Sequence, residues 1–357
     1  MLVHEIETPS GIVIKPAEKR HYTISGREFK YISPSCEIVT FDNALALSGS
    51  WEHGLAGIVK DNNFYHNRFS KDANNFRVKS PFWKEARGSF NLDLEYSDRI
   101  KSEECFTWFN IGQYWHWFFE DLPLVEAFRK KPDIPIYTNH LTQWQLDSLD
   151  YFPEIKNRVV QVDTPVVIEA KKVHVVTYPA VSYRGKASSW VADFLRFNLE
   201  PNFENPNTRP QRIYISRNDA VARNVANESE LLDMLVNEYD FTAINTHKDN
   251  SMASKSLQEK INMFAAAKVV VSPTGAGLTH VHAMSPQSTV VDFNHSFEVN
   301  EECGWNNIAV PCRLKWHTIE AETLDMPEER PKLKNSHMNV NVNKVREVLK
   351  YAIGETS

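Results

Sequence analysis

The chain has little cysteine, and what it has is scattered. Four cysteines occur in 357 residues, Cys36, Cys105, Cys303 and Cys312, with no C-x-x-C spacing. They read as reduced thiols of a cytosolic protein, with Cys303 and Cys312 alone close enough in sequence for a disulfide to be considered. No apolar run approaches the ~20 residues that cross a bilayer. The start, MLVHEIETPSG, has no basic segment followed by an apolar one, so no secretory leader is expected. Basic residues are not in excess: 40 Lys and Arg stand against 46 Asp and Glu, a net charge of −6. That balance argues against a general nucleic-acid binder. Three chemical signatures are also missing. No Asp-x-Asp presents paired carboxylates to a cation on a nucleotide. No Gly-x-Ser-x-Gly forms a hydrolase elbow. No Gly-Lys-Ser/Thr closes a Walker loop.

What remains is a chain with ample material for cores, 42% hydrophobic and 11% aromatic, and of a length that suggests two domains. Short β-rich runs (Gly11–Lys15, Glu37–Phe41, Gly57–Lys60) open it. Residues 114–130, YWHWFFEDLPLVEAFRK, keep apolar residues at helical spacing, with Pro123 placed to kink the helix or shift its start. A strand (Ile134–Thr138), a helix (Thr142–Leu149), two β runs (Arg158–Val162, Val173–Thr177) and a helix (Ser188–Leu199) follow. The segment PNFENPNTRP, residues 201–210, has linker composition. Beyond it strands at RIYIS, Phe241–Asn245, Val269–Val271, Thr289–Phe293 and Asn307–Val310 alternate with helices. Asn227 to Glu230 reads as a capping box opening the first of these, and Leu257–Ala267 is the second. The polar stretch near 325–339 is the one candidate for disorder. The expected organisation is a domain over 1–205, a second over 206–325, and a tail, 326–357, whose helix (Asn343–Ile353) returns to the first domain. Alternating elements in both halves predict two doubly wound α/β domains.

Ligands of such sheets sit at the carboxyl ends of strands. Three polar features fall there in the second half: Ser216-Arg217 with Arg223 six residues on; the loop Thr274-Gly275-Ala276-Gly277 before a short helix; and the helix start at Asn227-Glu228. Glycines let the backbone approach a ligand closely, and helix N-termini attract anions. Two arginines beside two helix starts suit a diphosphate. The same residues also read as surface ion-pair partners and a plain helix cap. In the first half His116 and Glu120 stand four apart, on one helix face. An imidazole beside a carboxylate in an aromatic setting suits a general base, and equally an ordinary hydrogen-bonded pair. His280 and His282 fit a metal poorly, because helical residues two apart diverge and no third ligand lies near.

With these residues assembled, the second half resembles glycosyltransferase family 61, often described as capsular polysaccharide biosynthesis proteins. The family's run of strand-Ser-Arg, Arg, Asn-Glu, Glu-Gln and His-Gly-Ala-Gly-Leu-Thr-Asn is matched by Ser216-Arg217, Arg223, Asn227-Glu228, Glu259-Lys260 and Thr274-Gly275-Ala276-Gly277-Leu278-Thr279-His280. Its first-half signature is matched by Trp115-His116-Trp117, Glu120 and Leu122-Pro123. Thr274 stands where the family carries His, Lys260 where it carries Gln, and His280 where it carries Asn. The resemblance implies a GT-B architecture, two Rossmann-like doubly wound domains facing a central cleft, with the donor in the second. It implies an inverting transfer from a nucleotide sugar, UDP-linked by default, to a glycan or lipid-linked glycan hydroxyl, with no cofactor and no metal. Glu120, oriented by His116, is then the expected base. Ser216, Arg217, Arg223, Asn227, Glu228, Lys260 and the loop Thr274 to Gly277 are expected on the donor, with Glu259 on its ribose. A cytoplasmic protein, docked peripherally at the inner face of the membrane, fits such a role. The three departures keep open a binding module without catalysis in a polysaccharide-assembly complex, and a sugar-nucleotide epimerase stands as a third reading.

Overall fold

The computed structural model describes residues 2–5, 11–24, 27–33, 35–48, 56–61, 63–66, 83–86, 89–92, 98–108, 110, 112–163, 166–177, 188–202, 205, 208–245, 250–295, 308–324 and 336–354. The chain divides into two units, Met1–Glu18 with Ile32–Ser182, and Lys19–Tyr31 with Tyr183–Ser357. The division at Ser182 precedes the PNFENPNTRP segment, so the helix Ser189–Asn198 belongs to the second unit. Cys303 and most of the polar stretch near 325–339 lie outside the described residues.

In chain order the early strands are β1 (Leu2–Glu5), β2 (Ile12–Lys15), the paired β3 (Glu18–Ile24) and β4 (Arg27–Ser33), β5 (Cys36–Ser48), β6 (Ala56–Lys60), β7 (Asn63–His66), the paired β8 (Trp83–Ala86) and β9 (Ser89–Leu92), and β10 (Asp98–Trp108). β11 (Ile136–Asn139), β12 (Val159–Val162) and β13 (Val166–Val176) follow. The first unit's main sheet has nine strands in the order β1-β7-β6-β5-β13-β10-β11-β12, with β2 on β5. Its β13-β10-β11-β12 part and its β1-β7 edge pair are parallel; β5 joins β13, β6 and β2 antiparallel, and β6 joins β7 antiparallel. A doubly wound first half was expected, and the sheet is mixed instead. β5, β6 and β7 follow one another with too few residues between them to hold the crossover helix that parallel neighbours need. Val39, Phe41, Ala46, Ile168, Val173 and Val175 fill the core behind β5 and β13.

The second unit is the doubly wound one. Strands β14 (Arg212–Ile215), β15 (Thr242–Ile244), β16 (Val269–Pro273), β17 (Thr289–His295) and β18 (Lys315–Thr323) are all parallel, in the order β15-β14-β16-β17-β18. β19 (Met338–Asn339) adds an antiparallel edge. Numbered within the unit, that is a 2-1-3-4-5 sheet, whose direction of winding reverses between β14 and β16. β16 and β17 are buried at every position, as a central parallel sheet covered on both faces requires.

Two expectations fail here. The run near Asn307–Val310 is not a strand; Ala309–Cys312 is a helical turn holding Pro311, which cannot donate to a ladder. The terminal helix, Val342–Ile353, packs in the second unit's own core: Val342, Val345 and Leu349 join Tyr214, Leu231 and Leu235. Arg346 adds a two-pronged pair to Glu238 on the helix Glu228–Tyr239. Apolar residues three and four apart give the Val342 helix one sticky stripe, and sequence alone does not say which face receives it.

Candidate active site

In the second unit, the ends of β14 and β16 meet at the reversal of the sheet. Arg217 follows β14, and Gly275 follows β16 as the cap of a 3₁₀ helix, Ala276–Ala283. Gly275 has φ 153° and ψ −173°, a region essentially confined to glycine. Arg217 lies so close over it that a Cβ there would run into the guanidinium Nη1. Glycine is therefore required twice at one position. The guanidinium is fixed from its other side by Nε, which donates to the Ala222 carbonyl at 3.1 Å. Burial, then the neighbouring Arg223 cation, lower Arg217 to about 10, so it stays charged at neutral pH. Arg223 sits in the left-handed region, φ 62°, and its charge also reaches His295 at the end of β17. Arg217, Arg223, Gly275 and His295 thus gather at the carboxyl edge of this sheet.

The neighbouring residues are tied into the protein by hydrogen bonds. Ser216 Oγ accepts the Asn218 N–H at 3.1 Å, and the Ser216 carbonyl accepts from Asn245 Nδ2 at 3.2 Å. Glu228 is buried and accepts from the Tyr214 hydroxyl at 2.7 Å and from Asn218. Asn227 makes no side-chain cap, contrary to the capping box expected at Asn227–Glu230. It is drawn instead to Val340, donating to its carbonyl at 2.8 Å and accepting its N–H at 2.9 Å. Glu259 closes a capping box on Ser256, whose N–H and Oγ both donate to it at 2.8 Å. The S-x-x-E spacing of Ser256 to Glu259 carried that signal. Thr274 is fully buried; its N–H donates to the Phe293 carbonyl and its hydroxyl has no hydrogen-bond partner. Ala276 is exposed, and Gly277 packs against Ile215.

Lys260 is buried, and its charge acts on His280. His280 Nδ1 and His282 Nε2 are 3.4 Å apart, although residues two apart were expected to diverge. In a 3₁₀ helix such residues are separated by about 120° around the axis, against about 160° in an α-helix. Burial holds both rings neutral, His282 down at about 3. Among the described residues no group of three His, Cys, Asp or Glu side chains could hold a metal ion. No helix among them is long and apolar enough to cross a membrane.

In the first unit, β10 runs into a helical segment that changes pitch three times. An α-turn, Tyr114–His116, passes into a π-turn, Trp117–Asp121, then a 3₁₀ turn, Leu122–Leu124, then an α-turn, Val125–Phe128. Pro123 explains the change. It lacks an N–H, and its ring would strike the carbonyl four residues back in an α-helix. The widened turn, with Leu122 N–H bonded to Trp117 O, makes room. Such π-turns are frequent at functional sites. Here the turn carries Glu120, whose Oε2 lies 2.7 Å from His116 Nδ1. Glu120 is 0% exposed and its Oε1 has no hydrogen-bond partner, whereas the His116 side chain is 21% exposed. Burial raises the Glu120 carboxyl well above its ordinary value and lowers His116 to about 4.

Aromatic packing sets the segment. Trp108 of β10 stacks on Trp117 at 4.9 Å and donates from Nε1 to Asp121 Oδ1 at 3.3 Å. Trp117 Nε1 donates to Ser148 of the helix Gln143–Leu149. Trp115 stacks on Phe119 and meets the His116 ring edge-on. These tryptophans are core, as their burial shows. Asp121, a second buried carboxylate, was not anticipated; Glu120-Asp121 inside an aromatic run was its only sequence signal.

Residues 114–291 match the family model Glycosyltransferase 61. The match begins at the His116 turn and ends within β17, so it takes in both places just described. Comparison with curated proteins gives no match.

Proposed function

We propose, on the premise that this chain belongs to glycosyltransferase family 61 and is a glycosyltransferase, that it is an inverting enzyme working without a metal. It moves a sugar from a UDP-linked donor to a hydroxyl of a glycan or lipid-linked glycan acceptor, in surface polysaccharide or glycoconjugate synthesis at the cytoplasmic side of a membrane. The reading includes a GT-B arrangement, with the donor on the second unit and the acceptor facing the first.

The observation that carries it is Arg217 held over Gly275 at the switch point of a 2-1-3-4-5 sheet, with Arg223 beside it. Gathering like charges costs free energy, and a diphosphate would relieve that cost. In the displacement, negative charge grows on the leaving diphosphate, where fixed guanidinium and helix N–H groups stabilise it as it forms. Each charge-assisted hydrogen bond contributes about 1.5–3 kcal/mol. The acceptor proton is taken by the His116–Glu120 pair, a general base contributing about 10²–10⁴-fold.

Calorimetry with UDP, in EDTA and again with Mn²⁺, tests this. Binding is expected in both buffers, and Arg217→Ala weakens it tenfold or more. Unchanged affinity in Arg217→Ala sinks the donor site; binding that needs Mn²⁺ sinks the metal-free mechanism.

Thr274 favours a second reading. It stands where the family pattern carries His, and it presents a buried neutral hydroxyl. A nucleotide- or carbohydrate-binding module without catalysis would bind UDP as above and turn over no donor from a panel of UDP-hexoses, UDP-N-acetylhexosamines and UDP-pentoses.

A further inference from the structure

We propose that His116, not Glu120, is the group that touches the acceptor, and that the pair works as a two-proton relay: His116 Nε2 takes the acceptor proton while Nδ1–H passes its own to Glu120 Oε2. The inference rests on the glycosyltransferase reading and specifies its base.

Geometry sets the order of the relay. Glu120 has no surface in contact with solvent, whereas about a fifth of the His116 side chain is exposed. The carboxylate already occupies Nδ1 at 2.7 Å, and Nε2 makes no hydrogen bond to any described residue. A substrate hydroxyl can therefore reach the pair only through the ring, and only at Nε2. For that nitrogen to accept a proton, Nδ1 must carry one, so the working form is ionised Glu120 accepting from Nδ1–H.

Where the proton comes to rest follows from the carboxylate's surroundings. An ionised carboxylate is stabilised by two or three donors. Glu120 has one, because Oε1 is buried without a partner. In hydrolase triads the buried carboxylate stays ionised beside an imidazolium. Here both charged forms are disfavoured, as the opposite displacements of the two groups show. Moving the second proton to Glu120 leaves two neutral groups. The other charge acting on His116 is Asp121, on the same turn. The strand β10 and the helix Gln143–Leu149 pack against the turn through Trp108, Trp144 and Ser148, none of which titrates.

The balance closes. The acceptor O–H breaks and an Nε2–H forms; Nδ1–H breaks and an Oε2–H forms on Glu120. The freed oxygen pair attacks the anomeric carbon, and the bond from that carbon to the diphosphate oxygen breaks with its pair leaving on the diphosphate. Glu120 acts through His116, so His116 is the catalytic residue and Glu120 its positioning partner and proton store.

The test uses the full chain, with release of UDP from the UDP-sugar panel in water as the turnover readout. His116→Ala lowers kcat by about 10²–10⁴-fold, leaves UDP affinity unchanged, and is partly rescued by added imidazole. Glu120→Gln keeps an acceptor for Nδ1–H, cannot store a proton, and lowers kcat by about 10²-fold or more. The wild-type proton inventory in mixed H₂O and D₂O bows downward, as two protons in flight require; in Glu120→Gln it becomes linear. Near-wild-type kcat in His116→Ala, or a linear wild-type inventory, overturns the relay. Nitrogen-15 NMR of the His116 ring decides the point even if no sugar is turned over, which would refute the glycosyltransferase reading alone. The ring is expected to exchange an Nδ1–H for an Nε2–H tautomer on acidification and to become cationic only near pH 4. An imidazolium forming near pH 6.5 overturns the relay.

Discussion

Replacing Gly275 by alanine tests the donor site at its narrowest point. With φ at 153° and ψ at −173°, an L residue pays strain of about 1–3 kcal/mol. Relaxing the backbone does not suffice, because the new Cβ would run into Arg217 Nη1 and lie 3.0 Å from Cζ. The guanidinium has to leave its place. If it makes one charge-assisted hydrogen bond to the diphosphate, its displacement forfeits about 1.5–3 kcal/mol. At about 1.4 kcal/mol per decade, that is a 10- to 150-fold rise in Kd for UDP. Gly277→Ala is the matched control. Its Cβ would meet Ile215 Cγ2 at 3.2 Å and Ser272 Oγ at 3.9 Å, and nothing of Arg217. The helical preference of alanine over glycine, about 1 kcal/mol, offsets that crowding. Denaturant melts and UDP calorimetry on both variants give the answer. Gly275→Ala is expected to lose stability and affinity together, and Gly277→Ala to stay within twofold of wild-type affinity. Wild-type UDP affinity in Gly275→Ala, or an equal loss in Gly277→Ala, refutes the assignment of Arg217 to the diphosphate.

Stability should respond to acid in two windows. His282, lowered from 6.5 to about 3 by burial, takes up its proton in the unfolded chain first. Its contribution is whole above pH 6.5 and falls as pH drops toward 3, by up to about 1.4 kcal/mol per pH unit; the raised Glu120 carboxyl offsets the same effect at its partner His116. Glu104, lowered to about 2 by hydrogen bonds from Lys131 and His174, adds stability that is lost below pH 4.5, as pH falls toward 2. Urea melts that stay flat between pH 6.5 and 5 would contradict neutral buried histidines. Asn227→Ala orphans the Val340 N–H and carbonyl, both in a buried residue, and should cost about 2–4 kcal/mol. Loss of UDP affinity in that variant without loss of stability would return Asn227 to the donor site. Glu228→Ala leaves the buried Tyr214 hydroxyl without its acceptor, about 1–3 kcal/mol by the same reasoning; an unchanged melt would show that the Tyr214 bond does not matter.

The second unit was the more legible half. Its strands β14 to β17 are short apolar runs ended by Ser-Arg, Ser-Pro or polar residues, and its helices carry apolar residues at 3.6-residue spacing, so pattern alone located these; β18, KWHTIEAET, has charged residues along it and was not read as a strand. The glycine loop after Val269–Pro273 is where a tight strand-to-helix turn had to be. The family likeness was legible too, since short motifs in fixed order survive without knowledge of their contacts. In the first unit the runs at β2, β5, β6, β11, β12 and the end of β13 were readable, but β10, DRIKSEECFTW, with charged residues along it, was not. Pairing was not readable either: a β run does not say whether its neighbour is parallel, and β5 found β13 some 120 residues away, antiparallel.

Residue type and spacing by themselves determined that His116 and Glu120 share a face, that Arg217 and the Gly275 loop sit at strand ends, and that Pro123 disturbs its helix. Tertiary structure decided the rest, because burial and partner choice depend on what other segments bring. It turned Glu228 and Asn227 toward protein partners, widened the Pro123 disturbance into a π-turn, and seated the terminal helix on the second unit. It also buried Glu120 behind His116. Both carry titratable groups at helical spacing, and only the packing of Trp108, Trp115 and Phe119 around the turn determines which of the two a substrate can touch.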